Sequence, residues 1–199
     1  VDDRKELNLV KDTNVKTLMS LKNEVRLRID YIGRKIKQYD RDIQIGEYVV
    51  NNWNQLDYNI VENMTKNDRS IVLTLKAYRA INLPISIYNS LNSDGSIAKL
   101  KKDSIKVFLN DLYEVIPAHI VDAVENERVL YHSFNEFIIK NYSKIVDDNI
   151  SGVNMTIYDK FFSDDIVYGY VLEKNHLRKF ILRLITRYHE KLISFEKLI

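Results

Sequence analysis

The groups in this chain that could hold a metal or move a proton are its four histidines and 28 acidic side chains. Glu173 and His176 stand as Glu-x-x-His, a spacing that puts both on one face of a helix. Helical di-iron proteins use that pair, but they need a second copy of it and further glutamates. No second copy exists among the four histidines, so the pair reads as a surface carboxylate beside a histidine. His132 with Glu136, and His119 with Asp122, have spacings that could begin a metal site. Neither pair has an obvious third or fourth ligand, and a metal site takes at least three protein groups. With no cysteine in the chain, disulfides, thiolate metal sites and cysteine nucleophiles are excluded. The sequence therefore assigns no catalytic, cofactor-binding or metal-binding residue, and no cofactor.

Other patterns reduce in the same way. Asp94-Gly95-Ser96 lacks the further glycines and the lysine of a phosphate-cradling loop. No motif announces a Ser, His and Asp triad. Tyr131, Phe134, Phe137 and Tyr142 recur at helical spacing and read as core, since the basic residues that would flank a base-stacking platform are sparse. Lys179, Arg183, Arg187 and Lys191 form a basic stripe, expected to be a solvated face paired with acids of a neighbouring helix. The alternative for that stripe is a docking surface for an anionic partner. Asn63, Asn141, Asn149 and Asn154 each open an Asn-x-Ser/Thr acceptor pattern, which chance explains in so asparagine-rich a chain. Thirty basic residues against 28 acidic ones leave a net charge of +2, with the signs interleaved. That balance gives no footprint for nucleic acid and no polybasic membrane patch.

The elements that must position these residues are helices. Only five glycines and two prolines occur in 199 residues, too few for the tight turns of a sheet protein. An apolar fraction of 45% can supply a core. Val25, Ile29, Ile32, Ile36, Tyr39, Ile43, Gly46, Val50 and Trp53 alternate in steps of four and three, the seam of a helix packed lengthwise on others. Arg26, Arg34, Lys37, Arg41 and Asp42 fall between and are expected to face water. This helix is predicted from about residue 4 to about residue 60, with a bend or break near Gly46 or Asn51-Asn52. Asp68 is the expected N-cap of a helix over 69–82 carrying Ile71, Leu75, Tyr78 and Ile81, which Pro84 stops. Pro84 then opens a helix over 84–92 that ends at Asp94-Gly95.

Beyond that corner, Ile97 and Leu100 are expected to plug the core, and Asp103 or Ser104 to cap a central helix. Its buried face runs Ile105, Phe108, Leu109, Leu112, Ile116, Ile120, Ala123, Leu130, Phe134 and Ile138. Pro117 lies inside this pattern and removes one backbone hydrogen bond, which predicts a kink or short break. Residues 147–165 read as loop, with DDNISG and FFSDD as turn signals. DIVYGYVLE, at 165–173, suits strand or helix and leans helical. From about Asn175 a last helix points Leu177, Ile181, Leu184, Ile185, Tyr188 and Leu192 inward. No run approaches a membrane-spanning length and none reads as a signal peptide. The chain opens on VDDRKELNLV without an initiator methionine, so a removed N-terminal segment is expected.

The order Pro84, Tyr88, Leu91, Ser93, Gly95, Ile97, Leu100 and Lys102 to Ile105 resembles a family of uncharacterised membrane-anchored bacterial proteins common in Bacteroidetes. LKNEVRLRIDYIGRKIKQYD and LRLITRYHEKLISFEKLI look like that family too. Asp94 stands where the family often has serine or asparagine, a swap the turn tolerates. The resemblance implies a transmembrane helix ahead of a charged start like DDRKELNL, with the helical part facing the periplasm from the inner membrane. It carries over no catalytic or binding residue.

The expectation is thus an all-α, elongated antiparallel helical bundle, a single domain over 1–199. It has a long N-terminal helix, a Pro-kinked central helix and a C-terminal helix. Its expected role is a non-enzymatic extracytoplasmic scaffold or protein-interaction module, with a protein partner or self-association, and no nucleic acid. The alternative is a sensor-type bundle that binds a small ligand between helices.

Overall fold

A computed structural model describes residues 2–65, 71–145 and 155–199, with side chains from Val15 onward except those of residues 62, 155 and 156. Asp68, the DDNISG turn and the acceptor asparagines Asn149 and Asn154 lie outside the described residues. Among these residues the chain is all-α, with no strand. A long N-terminal helix, α1 (Asp2–Asn51), is followed by α2 (Tyr58–Thr65), α3 (Ile71–Lys76), α4 (Ser86–Ser93) and α5 (Asp103–Asn110). A π-helical turn (Asp111–Val115) joins α5 to the central helix α6 (Ile116–Asn141). A 3-10 turn (Ser143–Ile145), α7 (Met155–Phe161) and the C-terminal α8 (Asp165–Leu198) complete the order.

The breaks follow from local chemistry. α1 ends at the asparagine pair: Asn52 Nδ2 and its backbone N–H both reach the Tyr48 carbonyl, at 2.8 and 3.1 Å. Asn54 then takes a left-handed φ of 68°, a conformation asparagine tolerates better than most side chains. Asp57 restarts the helix by accepting from the N–H of Asn59 (2.9 Å) and Ile60 (3.4 Å). Gly95, at φ 74°, closes α4 where the Asp94-Gly95 pair predicted a stop.

Three expectations are corrected and a fourth is extended. The helix placed over 69–82 stops at Lys76, and residues 77–85 are not helical. Lys102 occupies the cap position of α5, and neither Asp103 nor Ser104 caps it through a side chain. Residues 155–161 are helix rather than loop, because Phe161 and Phe162 bury themselves in an apolar cluster and carry α7 with them. The stretch 165–173 is helical, as it leaned, and is continuous with the last helix, which therefore starts at Asp165 with Asp164 accepting from the Ile166 N–H at 2.8 Å.

The chain divides into two compact units: one takes residues 1–36, 81–121 and 184–199, the other 37–80 and 122–183. In the first, α1 runs antiparallel to the end of α8, with Arg26 paired to Glu196 at 2.6 Å. Leu21, Val25, Ile32, Leu109, Ile120, Ile185, Leu192 and Phe195 are buried there. In the second, Ile45, Val49, Phe134, Ile138, Phe161, Phe162 and Val171 form one apolar cluster. α1 and α8 approach closely at Gly46, where an added Cβ would stand 2.9 Å from Asn175 Oδ1. Gly169, also in α8, has open space around it.

These two glycines predict opposite outcomes. Gly46→Ala should destabilise the chain by about 1–3 kcal/mol, and Asn175→Ala in the same chain should recover most of that loss. Gly169→Ala should stabilise by about 0.5–1 kcal/mol through helix propensity alone. Urea unfolding of the parent and these three variants checks the signs.

Candidate functional site

Why α3 stops at Lys76 is answered by what surrounds its last carbonyls. In the second unit Arg178 is 1% exposed and donates from Nη2 to the carbonyls of Thr74 and Ala77, each at 2.8 Å. Lys174, also buried, donates to the Lys76 carbonyl. Glu127 is fully buried and gathers donors: Arg178 Nε at 3.1 Å, the Tyr39 hydroxyl at 2.9 Å and the Arg79 N–H at 3.4 Å. Arg79 forks onto Asp42 at 2.7 and 2.9 Å. That carboxylate, with burial opposing it, holds the Arg79 guanidinium above its ordinary range. Burial, and next the Glu127 carboxylate, push the Tyr39 phenol well above the usual tyrosine range, so it stays a donor. Lys76 Nζ completes the group on Asn135 Oδ1 at 3.1 Å. Helix termini leave carbonyls that must be bonded, and here arginine and lysine supply the donors that a continued helix would have.

The first unit repeats the logic at the other polarity. α4 has Ile85 at its cap position, which has no polar side chain to give. Glu24 of α1 replaces it, accepting from the N–H groups of Ile87 (2.7 Å) and Tyr88 (3.1 Å) while 1% exposed. One turn on, buried Arg28 donates from Nε to the Pro84 carbonyl at 2.6 Å. Its Nη1 reaches the Leu112 carbonyl at 2.9 Å and the Tyr188 hydroxyl at 2.6 Å. Tyr188 itself donates to the same Leu112 carbonyl at 2.9 Å. The guanidinium lies 3.8 Å from the centre of the Tyr113 ring, whose other neighbour in the stack is Tyr88 at 4.1 Å.

The Leu112 carbonyl needs those donors because of Pro117. In the π turn the Ile116 N–H bonds to the carbonyl of Asp111, five residues back. The same register would give Leu112 to residue 117, which is proline and has no N–H. The hydrogen bond that Pro117 was expected to remove is lost at Leu112, and Arg28 with Tyr188 replaces it.

The residues singled out by spacing are not brought together. Glu173 and His176 are 4.0 Å apart with 61% of each side chain exposed, a surface pair. His119, Asp122, His132 and Glu136 are exposed, and no group of metal-ligating side chains forms among the described residues. Lys179 and Lys191 of the basic stripe pair with Glu47 (2.8 Å) and Asp111 (3.2 Å) on other elements, as a solvated face would. Phe134 and Tyr142 are buried, and Phe134 and Phe137 lie against Tyr170, which makes the aromatic series core. Asp42, expected to face water, is fully buried on Arg79. A surface groove of about 580 Å³ runs between α1 and α8 of the second unit, over Ile43 and Leu182, with Asp40, Glu47, His176 and Arg183 on its rims.

No described helix is long and apolar enough to cross a membrane. Comparison with protein-family models, curated proteins and solved structures finds no match for the chain.

The Leu112 site makes a testable coupling. Replacing both donors, Arg28→Met with Tyr188→Phe, should destabilise by about 3 kcal/mol or more. Adding Pro117→Ala should recover about 1 kcal/mol, because residue 117 then offers Leu112 an N–H. Equal effects of Pro117→Ala in the parent and in the double variant would contradict this account of the π turn.

Proposed function

We propose that this chain is a non-enzymatic, extracytoplasmic helical module of a membrane-anchored bacterial protein, acting by binding a protein partner. One observation carries the reading: the buried ionisable side chains that could have served a reaction are engaged with main chain or with one another, as Asp42 is with Arg79 and Glu127 with Arg178. Glu24 holds amides, while Arg28, Lys174 and Arg178 hold carbonyls. The apolar seam supports a partner other than a second copy joined through that seam. Val25, Ile32, Tyr39 and Ile43 are already buried within the chain. Apolar surface outside the seam is left by Val15, Met19 and Leu27 of α1, each more than half exposed and sharing one side of the helix. The location rests on the resemblance of Pro84 to Ile105 and of the charged opening DDRKELNL.

Two measurements test the proposal. A reporter that is active only outside the cytoplasm, fused after Ile199 of the full-length gene product, should be active in cells. A photo-crosslinker at Met19 should give one discrete adduct of defined mass in those cells, lost in the Leu27→Asp variant. A silent reporter overturns the location, and the absence of an adduct at Met19 overturns the partner.

The groove between α1 and α8 favours a second reading, a sensor for a small dipolar ligand. Its apolar floor of Ile43 and Leu182 lies between rims that carry both charges. Small zwitterions screened by thermal shift should raise the melting temperature, and Arg183→Glu should abolish the rise. No shift across free amino acids and betaines would exclude that ligand class.

A further inference from the structure

We propose that the buried cluster around Lys174 is a proton-linked latch on the segment that follows α3, with the cationic lysine loosening the hold on Thr74 to Arg79 and the neutral amine tightening it. The geometry carries this. Lys174 is 1% exposed, and its Nζ has one hydrogen-bond acceptor among the described residues, the Lys76 carbonyl. Its other close neighbour is the face of the Tyr131 ring of α6, at 5.7 Å. No carboxylate lies within ion-pair distance of it among the described residues.

The charges that face the cluster come from every element packed around it. α1 supplies Asp42 and the phenol of Tyr39, and α6 supplies Glu127. α3 supplies Lys76 and the segment after it Arg79, while α8 supplies Arg178 beside Lys174. Asp42 is committed to Arg79, and Glu127 to Arg178 and Tyr39. Lys76 has the Asn135 side chain as acceptor. Protonated, Lys174 is the cation of this group with no side-chain hydrogen-bond acceptor among the described residues: the Lys76 carbonyl and, at 5.7 Å, the Tyr131 ring face are its near partners, in surroundings that already hold a surplus of positive charge.

Burial, and after it the neighbouring Arg178, draw the Lys174 amine down to about 7, against the opposing pull of Glu127 and Asp42. The sign of the linkage follows. An unfolded lysine titrates at ~10.4, so between about pH 7 and pH 10 the unfolded chain binds the extra proton. Stability from this group rises with pH across that window. Below about pH 7 both states are protonated, and the folded chain carries the buried charge at its full penalty. A neutral amine still donates to the Lys76 carbonyl, so the latch loses charge rather than its bond.

The test uses the whole chain and needs no variant for its first arm. Carbon-13 labelling at lysine Cε, with the buried lysine identified by its contacts to Tyr131 ring protons, should show one resonance titrating near neutrality. A midpoint above pH 9 for that resonance overturns the proposal. In the second arm, hydrogen exchange of the Ala77 to Arg79 amides, corrected for intrinsic rate, should slow at least tenfold from pH 6 to pH 8.5. Lys174→Met should abolish that dependence, and Lys174→Arg, which keeps the charge, should hold exchange at its fast limit throughout. If parent and both variants show the same pH dependence, no latch exists at Lys174.

Discussion

The constraint on which this structure depends is that main-chain N–H and C=O groups inside a folded protein must be hydrogen-bonded. A continuous helix meets it internally. This chain interrupts its helices in the interior, after Lys76 and again around Leu112, and each interruption releases groups that water cannot reach. Leaving one such group unpaired costs about 1–3 kcal/mol. Burying a bare charge to serve it costs several more, so the arrangement is favourable only when each charge is shared among several acceptors or donors. Arg178 meets two carbonyls and a carboxylate, and Arg28 meets two carbonyls, a hydroxyl and a ring. Their multiplicity is what offsets the desolvation.

Polarity is distributed as the helix ends require. The first-turn amides of α4 face a carboxylate, Glu24, and the last carbonyls of α3 face N–H donors, the Arg178 guanidinium and the Lys174 amine. That is the pairing favoured by partial positive charge at a helix start and partial negative charge at its end. It explains why a corner with Ile85 at the cap position can begin a helix at all: the cap is supplied by a helix distant in sequence. The π turn follows the same rule. It places the unavoidable defect of Pro117 at a carbonyl that two buried donors already surround.

The architecture was legible in the sequence because long helices depend on propensity, on the scarcity of glycine and proline, and on apolar recurrence. The stop at Asn51-Asn52, the turn at Gly95 and the disturbance near Pro117 follow from single residues with a local mechanism. The interior charges were hidden by the same apolar counting. Reading the seam as Val25, Ile29, Ile32, Ile36 keeps every position apolar, yet Ile29 and Ile36 are only partly buried. The buried register is Leu21, Val25, Arg28, Ile32, Lys35, Tyr39, Asp42, Gly46 and Val49, all buried except the half-buried Lys35. Every second seam position from Arg28 to Asp42 is charged, which a search for apolar residues rejects by construction. The early stop of α3 was illegible for a related reason. Its cause lies in Glu127 and Arg178, far along the chain, and nothing in the sequence from 71 to 82 announces it.

Charged residues in such a seam also bear on how helices choose their alignment. A purely apolar seam is nearly indifferent to a slip of one heptad, since leucine replaces isoleucine at little cost. Arg28 is not indifferent, because within its unit only one alignment of α8 delivers the Tyr188 hydroxyl to it. Gly46 adds a steric condition in the other unit: the contact with Asn175 leaves no room for a larger residue at that level. Buried ion pairs are in general weak sources of stability, and apolar replacements of similar volume often match or exceed them. Buried charges at Arg28, Glu127 and Arg178 are better explained by alignment and by the backbone groups they serve, and Asp42 by the Arg79 guanidinium it holds. The same side chains that close the helix ends thus select one register among several that hydrophobicity alone would permit.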